Sequence, residues 1–280
     1  MSWGEPSAES PPVCPRHPDV VSYVRCQRCG RPVCPACQRP APVGIQCVDC
    51  VAESARRTRT ATTVAGARLS DGRPVLTQVL IGLSVVAYAA QMLVPGFTNQ
   101  FIFAPSIGWI EPWRFLTTTF LHGGIMHLAF NMYALYLVGP TLERVMGRWR
   151  FLSLYLLAAF GGSVAVLLFS SPAGPMWNVG TVGASGAVFG LFAALGLTLR
   201  RIRQNHTQIA VLIAINFALG FVIANVSWQA HLGGLLVGAA LAAAYLFGPR
   251  GRSRPTVALA ITVGMGLLLV AAAALRYAGI

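Results

Sequence analysis

Residues 228–247 read WQAHLGGLLVGAALAAAYLF. The stretch is apolar from end to end. At 1.5 Å per residue, about 20 such residues cross the ~30 Å hydrocarbon core of a bilayer as one helix. One imidazole, His231, interrupts it near its start. An ionisable group inside a hydrophobic span is costly, so function is the default reading. A second apolar run carries a matching oddity, Ser185 in Gly183-Ala184-Ser185-Gly186. A serine and a histidine are the minimum parts of a hydrolytic site, nucleophile and general base.

The composition around these runs agrees with a membrane protein. The chain of 280 residues is 55% hydrophobic and only 10% charged, whereas soluble domains carry roughly 25% charged residues. The deficit falls after residue 73, so an all-α membrane protein behind a polar N-terminal extension is expected. The net charge of +13 comes from arginine alone, with no lysine. Much of it sits in short loops between apolar runs. Arg56, Arg57, Arg59, Arg68 and Arg73 suit an anionic lipid surface better than nucleic acid. The Pro-, Ser- and Cys-rich start does not have the pattern of a secretory signal.

Seven apolar runs follow, at about 75–94, 125–142, 151–169, 184–199, 208–226, 228–247 and 257–275. Each is near the ~20 residues of a spanning helix. Between the fifth and sixth, only Asn225 to Ser227 offers a break. The arginines orient the bundle. Arg144, Arg148 and Arg150, then Arg200, Arg201 and Arg203, then Arg250, Arg252 and Arg254 lie in alternate loops, and the opposite loops hold only Arg114. Positive loops stay in the cytoplasm, which places the N-terminus inside and the C-terminus outside, with the plasma membrane as the expected location.

Counting from the cytoplasmic ends gives the depth of the polar residues. Ser185 lies ~22 Å from Arg200, His231 ~24 Å from Phe247, and His127 ~24 Å from Glu143. Three polar residues on three runs therefore reach one level, and convergence on one cavity is the simpler reading. Gly183, Gly186 and Gly190 on one run and Gly234 and Gly238 on the other allow close helix approach, although glycine patterns alone more often signify packing only. The membrane region has two carboxylates, Glu111 and Glu143, and neither belongs behind His231. A Ser–His dyad is thus expected, with something other than a carboxylate orienting the imidazole. Phe189, one turn deeper than Ser185, either stacks on His231 or simply packs the core. His127 and Asn131 share a helix face at i and i+4. With the backbone N–H of Ser185 they suit an oxyanion hole, or they are hydrogen-bonding glue between helices. His122 reads as loop architecture. The fourth run is expected to start within the bilayer, next to a watery space.

These residues resemble the rhomboid family of intramembrane serine proteases, over roughly residues 75 to 247. Gly183-Ala184-Ser185-Gly186 is similar to its GxSG motif, and Ala230-His231 with Gly234 and Gly238 to AHxxGxxxG. His122, His127 and Asn131 fit HxxxxHxxxN; Trp113-Arg114 fits the WR pair; Gly139, Glu143, Arg144 and Gly147 fit GxxxERxxG. The resemblance implies a six-helix bundle, here followed by a seventh transmembrane helix. It implies Ser185 as nucleophile, His231 as base, and His127 and Asn131 as oxyanion donors. The expected activity is cleavage of peptide bonds in or near helix-weak transmembrane segments of membrane proteins, with no cofactor in the catalysis. Phe189 stands where many members have tyrosine. Two readings compete with the enzyme: a rhomboid-like protein that binds client helices without cutting them, and a transporter, which lacks an intramembrane acid.

All seven cysteines fall between Cys14 and Cys50. An odd number in CxxC pairs argues for metal and a reducing compartment. Cys14 with His17, Cys26 with Cys29, Cys34 with Cys37 and Cys47 with Cys50 form four ligand pairs, enough for two structural zinc ions. The spacing resembles B-box-type zinc fingers. An interleaved arrangement joins the first pair to the third and the second to the fourth; sequential pairing is the alternative. Residues 1–52 are thus expected to be a zinc-stabilised cytoplasmic domain, 53–73 a flexible basic linker, and 74–280 the membrane domain. A cytoplasmic protein is the expected partner of the zinc domain, ahead of a purely structural role. Nucleic acid comes last, since basic character alone is a loose pointer.

Overall fold

The computed structural model describes residues 10–57, 61–67, 69, 73–222, 226–249, 251 and 254–279. It divides into two compact units, Met1–Thr60 and Ala61–Ile280.

In the first unit, β1 (Val13–Cys14) pairs antiparallel with β2 (His17–Val21), and β3 (Gln38–Pro40) with β4 (Ile45–Cys47). Helix α1 (Val48–Arg57) follows β4 directly. The buried cluster consists of Cys14, Cys26, Cys34, Cys37, Cys47 and Cys50 with Val33. So little apolar volume does not offset the chain entropy of about 50 residues. Helix α1 runs on to Arg57, into the stretch that sequence alone left as linker. Val48, Val51, Ala52 and Ala55 recur at i, i+3, i+4 and i+7, an apolar face that so short a helix makes easy to miss beside the basic stretch that follows.

The start of the second unit holds a further departure from the expected linker. Residues 61–67 form a turn, with Thr63 N–H donating to the Ala67 carbonyl at 2.9 Å. The Thr63 hydroxyl donates to the Val145 carbonyl at 2.5 Å, and Ala65 is fully buried. This anchorage uses backbone and one hydroxyl, neither of which leaves a periodic trace in the sequence. Residues 58–60, 68 and 70–72 of the linker lie outside the described residues.

All seven apolar runs are helices. Among the described residues, α2 (Val75–Leu93), α5 (Ile125–Met146), α6 (Arg148–Phe169), α9 (Trp228–Phe247) and α10 (Arg254–Ala278) are long and apolar enough to cross a bilayer. Short helices α3 (Phe97–Phe101) and α4 (Arg114–Thr117) lie between α2 and α5. Helices α7 (Ser185–Arg201) and α8 (Thr207–Val222) have only 17 and 16 residues. Among the described residues, five of the seven expected spans thus meet the length and composition of a crossing, and residues 223–225, which follow α8, lie outside them. Helix α7 is short because it starts at Ser185, behind an irregular segment. The break before α9 is where it was expected: Ser227 caps the helix by accepting the Ala230 N–H at 3.3 Å. Asn225 lies outside the described residues.

Helix α6 is the centre, with 67% of its span buried against 17% for α2 and for α10. Helix α2 lacks a side-chain cap of its own. Glu143 of α5 supplies it, accepting from Leu76 N–H at 3.1 Å, Thr77 N–H at 2.9 Å and the Thr77 hydroxyl at 2.9 Å. A carboxylate at the positive end of a helix dipole is favourable, and these bonds satisfy orphan donors. Gly139 opposes Thr77, where a side chain would collide with it. The other carboxylate, Glu111, pairs with Arg114. Buried Arg114 also donates to the Asn99 carbonyl at 2.6 Å and the Ile102 carbonyl at 2.8 Å, which fixes the loop after α2. Both carboxylates thus have structural partners away from His231.

Candidate active site

The site begins with the turn into α7. Gly183 N–H donates to the Thr118 carbonyl at 3.1 Å, and Gly183 adopts φ +127°, a conformation L side chains rarely take. A Cβ there would lie 2.7 Å from His127 Cε1 and 2.8 Å from Nε2. Glycine is therefore required by backbone angle and by the imidazole resting on it. Ser185 then opens the helix, so its N–H belongs to the first turn, without an intrahelical acceptor and at the positive end of the dipole.

Helix α9 delivers the histidine. His231 Nε2 lies 2.9 Å from Ser185 Oγ. The Phe189 ring stacks on the imidazole at 4.2 Å between centroids and 12° between planes. His231 is 7% exposed, and its Nδ1 is buried with no hydrogen-bond partner among the described residues. With Oγ–H donating, Nε2 accepts and the neutral ring carries its proton on Nδ1. Stacking, not a carboxylate, orients this imidazole, as the count of membrane acids led one to expect.

The close approach of α7 and α9 comes from backbone meeting backbone. A Cβ on Gly234 would lie 1.9 Å from the Gly186 carbonyl oxygen, and one on Gly238 2.3 Å from Gly190 Cα. Any side chain at Gly234 would force the helices apart and open the 2.9 Å contact.

His127 comes from α5. Gly123 N–H donates to its Nδ1 at 3.3 Å, which leaves the proton on Nε2, the nitrogen facing Gly183. This backbone donor has no signature in the sequence beyond the glycine itself. Asn131 shares the face, but its amide donates to the His127 carbonyl at 2.9 Å, along its own helix. His122 is architectural: its N–H donates to Gln91 Oε1 at 2.9 Å and its carbonyl accepts from Gln91 Nε2 at 3.2 Å. Gln91, a polar residue inside an apolar run, was the overlooked signal for this tie between α2 and the following loop. The rings of His122 and His127 lie 5.2 Å apart, edge to face.

In the first unit the metal-binding types converge as two groups: Cys14, His17, Cys34 and Cys37, and Cys26, Cys29, Cys47 and Cys50. This is the interleaved pairing. Within each group the ligand atoms lie within 4.8 Å of one another. Cys34 Sγ and Cys37 Sγ lie 3.3 and 3.4 Å from His17 Nδ1, and Cys29 Sγ lies 3.8 Å from Cys47 Sγ. Tetrahedral zinc with bonds of 2.0–2.3 Å spaces its ligands by about 3.5–3.8 Å, so the donor set fits that ion. None of the seven cysteines is in a disulfide. Backbone N–H groups, that of Cys34 foremost, lower the Cys14 thiol to about 6. Burial opposes ionisation of Cys26, but backbone donors at Cys29, Cys47 and Arg28 outweigh it and hold this thiol at about 6. Burial raises Cys37 and Cys50 to about 11 and about 12, so a metal must displace their protons.

The profile of the Rhomboid domain matches residues 110–248. The chain is 36% identical over 214 residues to Rhomboid protease GluP of Bacillus subtilis (strain 168), an alignment covering 71% of this chain and 41% of that protein. Putative rhomboid protease YdcA of the same organism is 38% identical over 133 residues, 46% of this chain and 64% of that one. Rhomboid protease AarA of Providencia stuartii is 28% identical over 220 residues, 65% of this chain and 76% of that one. The chain therefore spans less than two thirds of either Bacillus relative. Through the domain that carries Ser185 and His231, it belongs to the rhomboid family.

Proposed function

We propose that this protein is an intramembrane serine endopeptidase that cleaves peptide bonds in or near transmembrane helices of other membrane proteins. The reading rests on one observation above all, the 2.9 Å contact between Ser185 Oγ and His231 Nε2 at the first turn of α7. Ser185 Oγ attacks the scissile carbonyl carbon while His231 Nε2 takes the hydroxyl proton. The negative charge on the carbonyl oxygen is met by the Ser185 N–H and the His127 Nε2–H. The second Asn131 amide proton joins them once substrate is bound. Collapse returns the proton to the leaving amine and leaves an acyl-serine, which water hydrolyses with His231 again as base. The scissile segment must be extended to be attacked, so small residues and helix-weak segments are preferred.

Two zinc ions in the first unit would be held by the interleaved groups described above, and each would cross-link the chain as a structural ion. With every ligand position filled, neither has an open site for substrate. The N-terminus faces the cytoplasm, in line with arginine-rich alternate loops. The membrane is the plasma membrane, and the zinc unit serves a cytoplasmic protein partner. The deciding experiment is cleavage of a model transmembrane substrate by purified protein in lipid. Wild type cuts, and Ser185→Ala and His231→Ala do not. Cleavage that persists in the serine variant ends the assignment. Client binding without cleavage by wild type points to the non-catalytic alternative.

A further inference from the structure

Helix α10 lies outside the motif-bearing core, and little of it is buried. Its polar contacts concentrate at its two ends. At its start, Arg254 donates to the Val64 carbonyl at 2.5 Å and the Tyr245 carbonyl at 2.9 Å, and Thr262 bonds Tyr245 Oη at 2.5 Å. At its other end, Tyr277 Oη donates to the Pro105 carbonyl at 2.7 Å. The Tyr277 ring meets Trp109 at 5.7 Å and Trp177 at 6.3 Å. Arg276 donates to the Ser170 carbonyl at 2.8 Å and lies 5.7 Å over the Trp177 ring. A Cβ on Gly108 would lie 2.5 Å from Tyr277 Oη. One helix end therefore touches two loops at once, the one before α4 and the one after α6.

Those two loops are bonded to each other just ahead of the nucleophile. Trp177 carbonyl accepts from Ser106 N–H at 3.0 Å, and Phe103 carbonyl accepts from Thr181 N–H at 2.7 Å, in an isolated antiparallel bridge. The Thr118 hydroxyl donates to the Thr181 carbonyl, and the Thr118 carbonyl holds Gly183 N–H. The chain thus runs from Trp177 to Ser185 along a ladder whose far rail is residues 103–118. Trp177 is the rung gripped by Tyr277 and Arg276. Leu269 and Ala273 of the same helix are buried against the core, and beyond them Tyr277 and Arg276 hold two carbonyls and two indoles, directional contacts suited to setting the position of the loops.

We propose that Tyr277 and Arg276 are positioning residues for the nucleophile, and that the seventh helix acts as a strap on the loop leading into Ser185. The proposal rests on the peptidase reading. Slack in the strap lets the Gly183–Ser185 turn wander from the attacking geometry, which lowers turnover without changing how substrate is held.

The test uses full-length protein in lipid with three readouts. These are cleavage kinetics, labelling of Ser185 by a fluorophosphonate probe, and amide exchange over residues 177–185. Tyr277→Phe with Arg276→Gln is compared with Thr262→Val, which loosens the same helix at its opposite end. The expected result for the double variant is a fall of about fivefold to tenfold in kcat and in labelling rate. Its KM stays unchanged, and exchange at Thr181 and Gly183 is faster. Thr262→Val retains wild-type kcat and exchange. Wild-type kcat in the double variant overturns the proposal, as does an equal loss in Thr262→Val, which would reduce the strap to general stability. A double variant too unstable to assay leaves Tyr277→Phe alone, with unaltered exchange at Thr181 as the overturning result. Wild type that neither cleaves nor labels removes the peptidase reading itself and this proposal with it.

Discussion

At the scale of single residues, the site is a serine and an imidazole with an aromatic ring in place of a third polar member. Removing His127 tests the oxyanion assignment: His127→Ala should lower kcat about 10²-fold at unchanged KM, measured on the model substrate. Ser185→Ala or His231→Ala should lower turnover by at least ~10³-fold, with melting behaviour close to wild type. Ser185 and His231 were legible in the sequence because a polar group in an apolar run has few innocent explanations. Phe189 was half legible, since its spacing puts it on the right face but a phenylalanine packs anywhere. The proton on His127 was not legible. It is set by the Gly123 N–H, a backbone donor common to nearly every residue. Asn131 carries the same lesson, because i and i+4 spacing places two side chains on one face without saying where an amide points.

At the scale of elements, the pair depends on two helices in backbone contact. Gly234→Ala puts a methyl into the Gly186 carbonyl, 1.9 Å away before any adjustment. Activity should fall by more than ~10²-fold as the helices separate. A lower melting temperature is expected alongside, and a Ser185 that no longer labels with fluorophosphonate would identify the cause. The apolar runs announced all seven helices, because lipid demands long unbroken hydrophobicity. Where α7 begins was also readable, from the glycines and proline ahead of Ser185. That α7 is shorter than the other spans follows from its late start at Ser185. Glu143 was recognised as part of a motif at a helix end, but its work is done for another helix. The N-terminus it caps belongs to Leu76 and Thr77, a pairing no local pattern encodes.

At the scale of the whole molecule, the chain joins a cysteine-rich unit to a membrane unit, and each is expected to keep its own stability. Chelation should unfold the first unit, read as loss of dispersion in its amide spectrum, while substrate cleavage by the second persists within about twofold. Loss of all activity with an intact bundle would refute that independence. The cysteines provide their own orientation test, since all seven lie in one unit. A membrane-impermeant maleimide should spare them in intact cells and modify them after permeabilisation with chelator. The two Cys/His groups that could hold metal were legible from spacing, but the unit's end was not. Helix α1 passes residue 52, and the turn at 61–67 belongs to the other unit through Ala65 and the Thr63 hydroxyl. The strap formed by α10 was equally hidden, because Tyr277 finds its partner at Pro105, far away along the chain.

The crossing of the two cysteine groups has a further result. Cys26 and Cys29 sit inside the loop that Cys14 and Cys37 close, and Cys34 and Cys37 inside the loop that Cys26 and Cys50 close. Tightening one loop brings the cysteines of the other together, so a first ion, if captured, would prepare the seat of a second. Titration should then pass from empty to doubly filled with scarcely any singly filled protein, and a change at any one ligand should empty both seats.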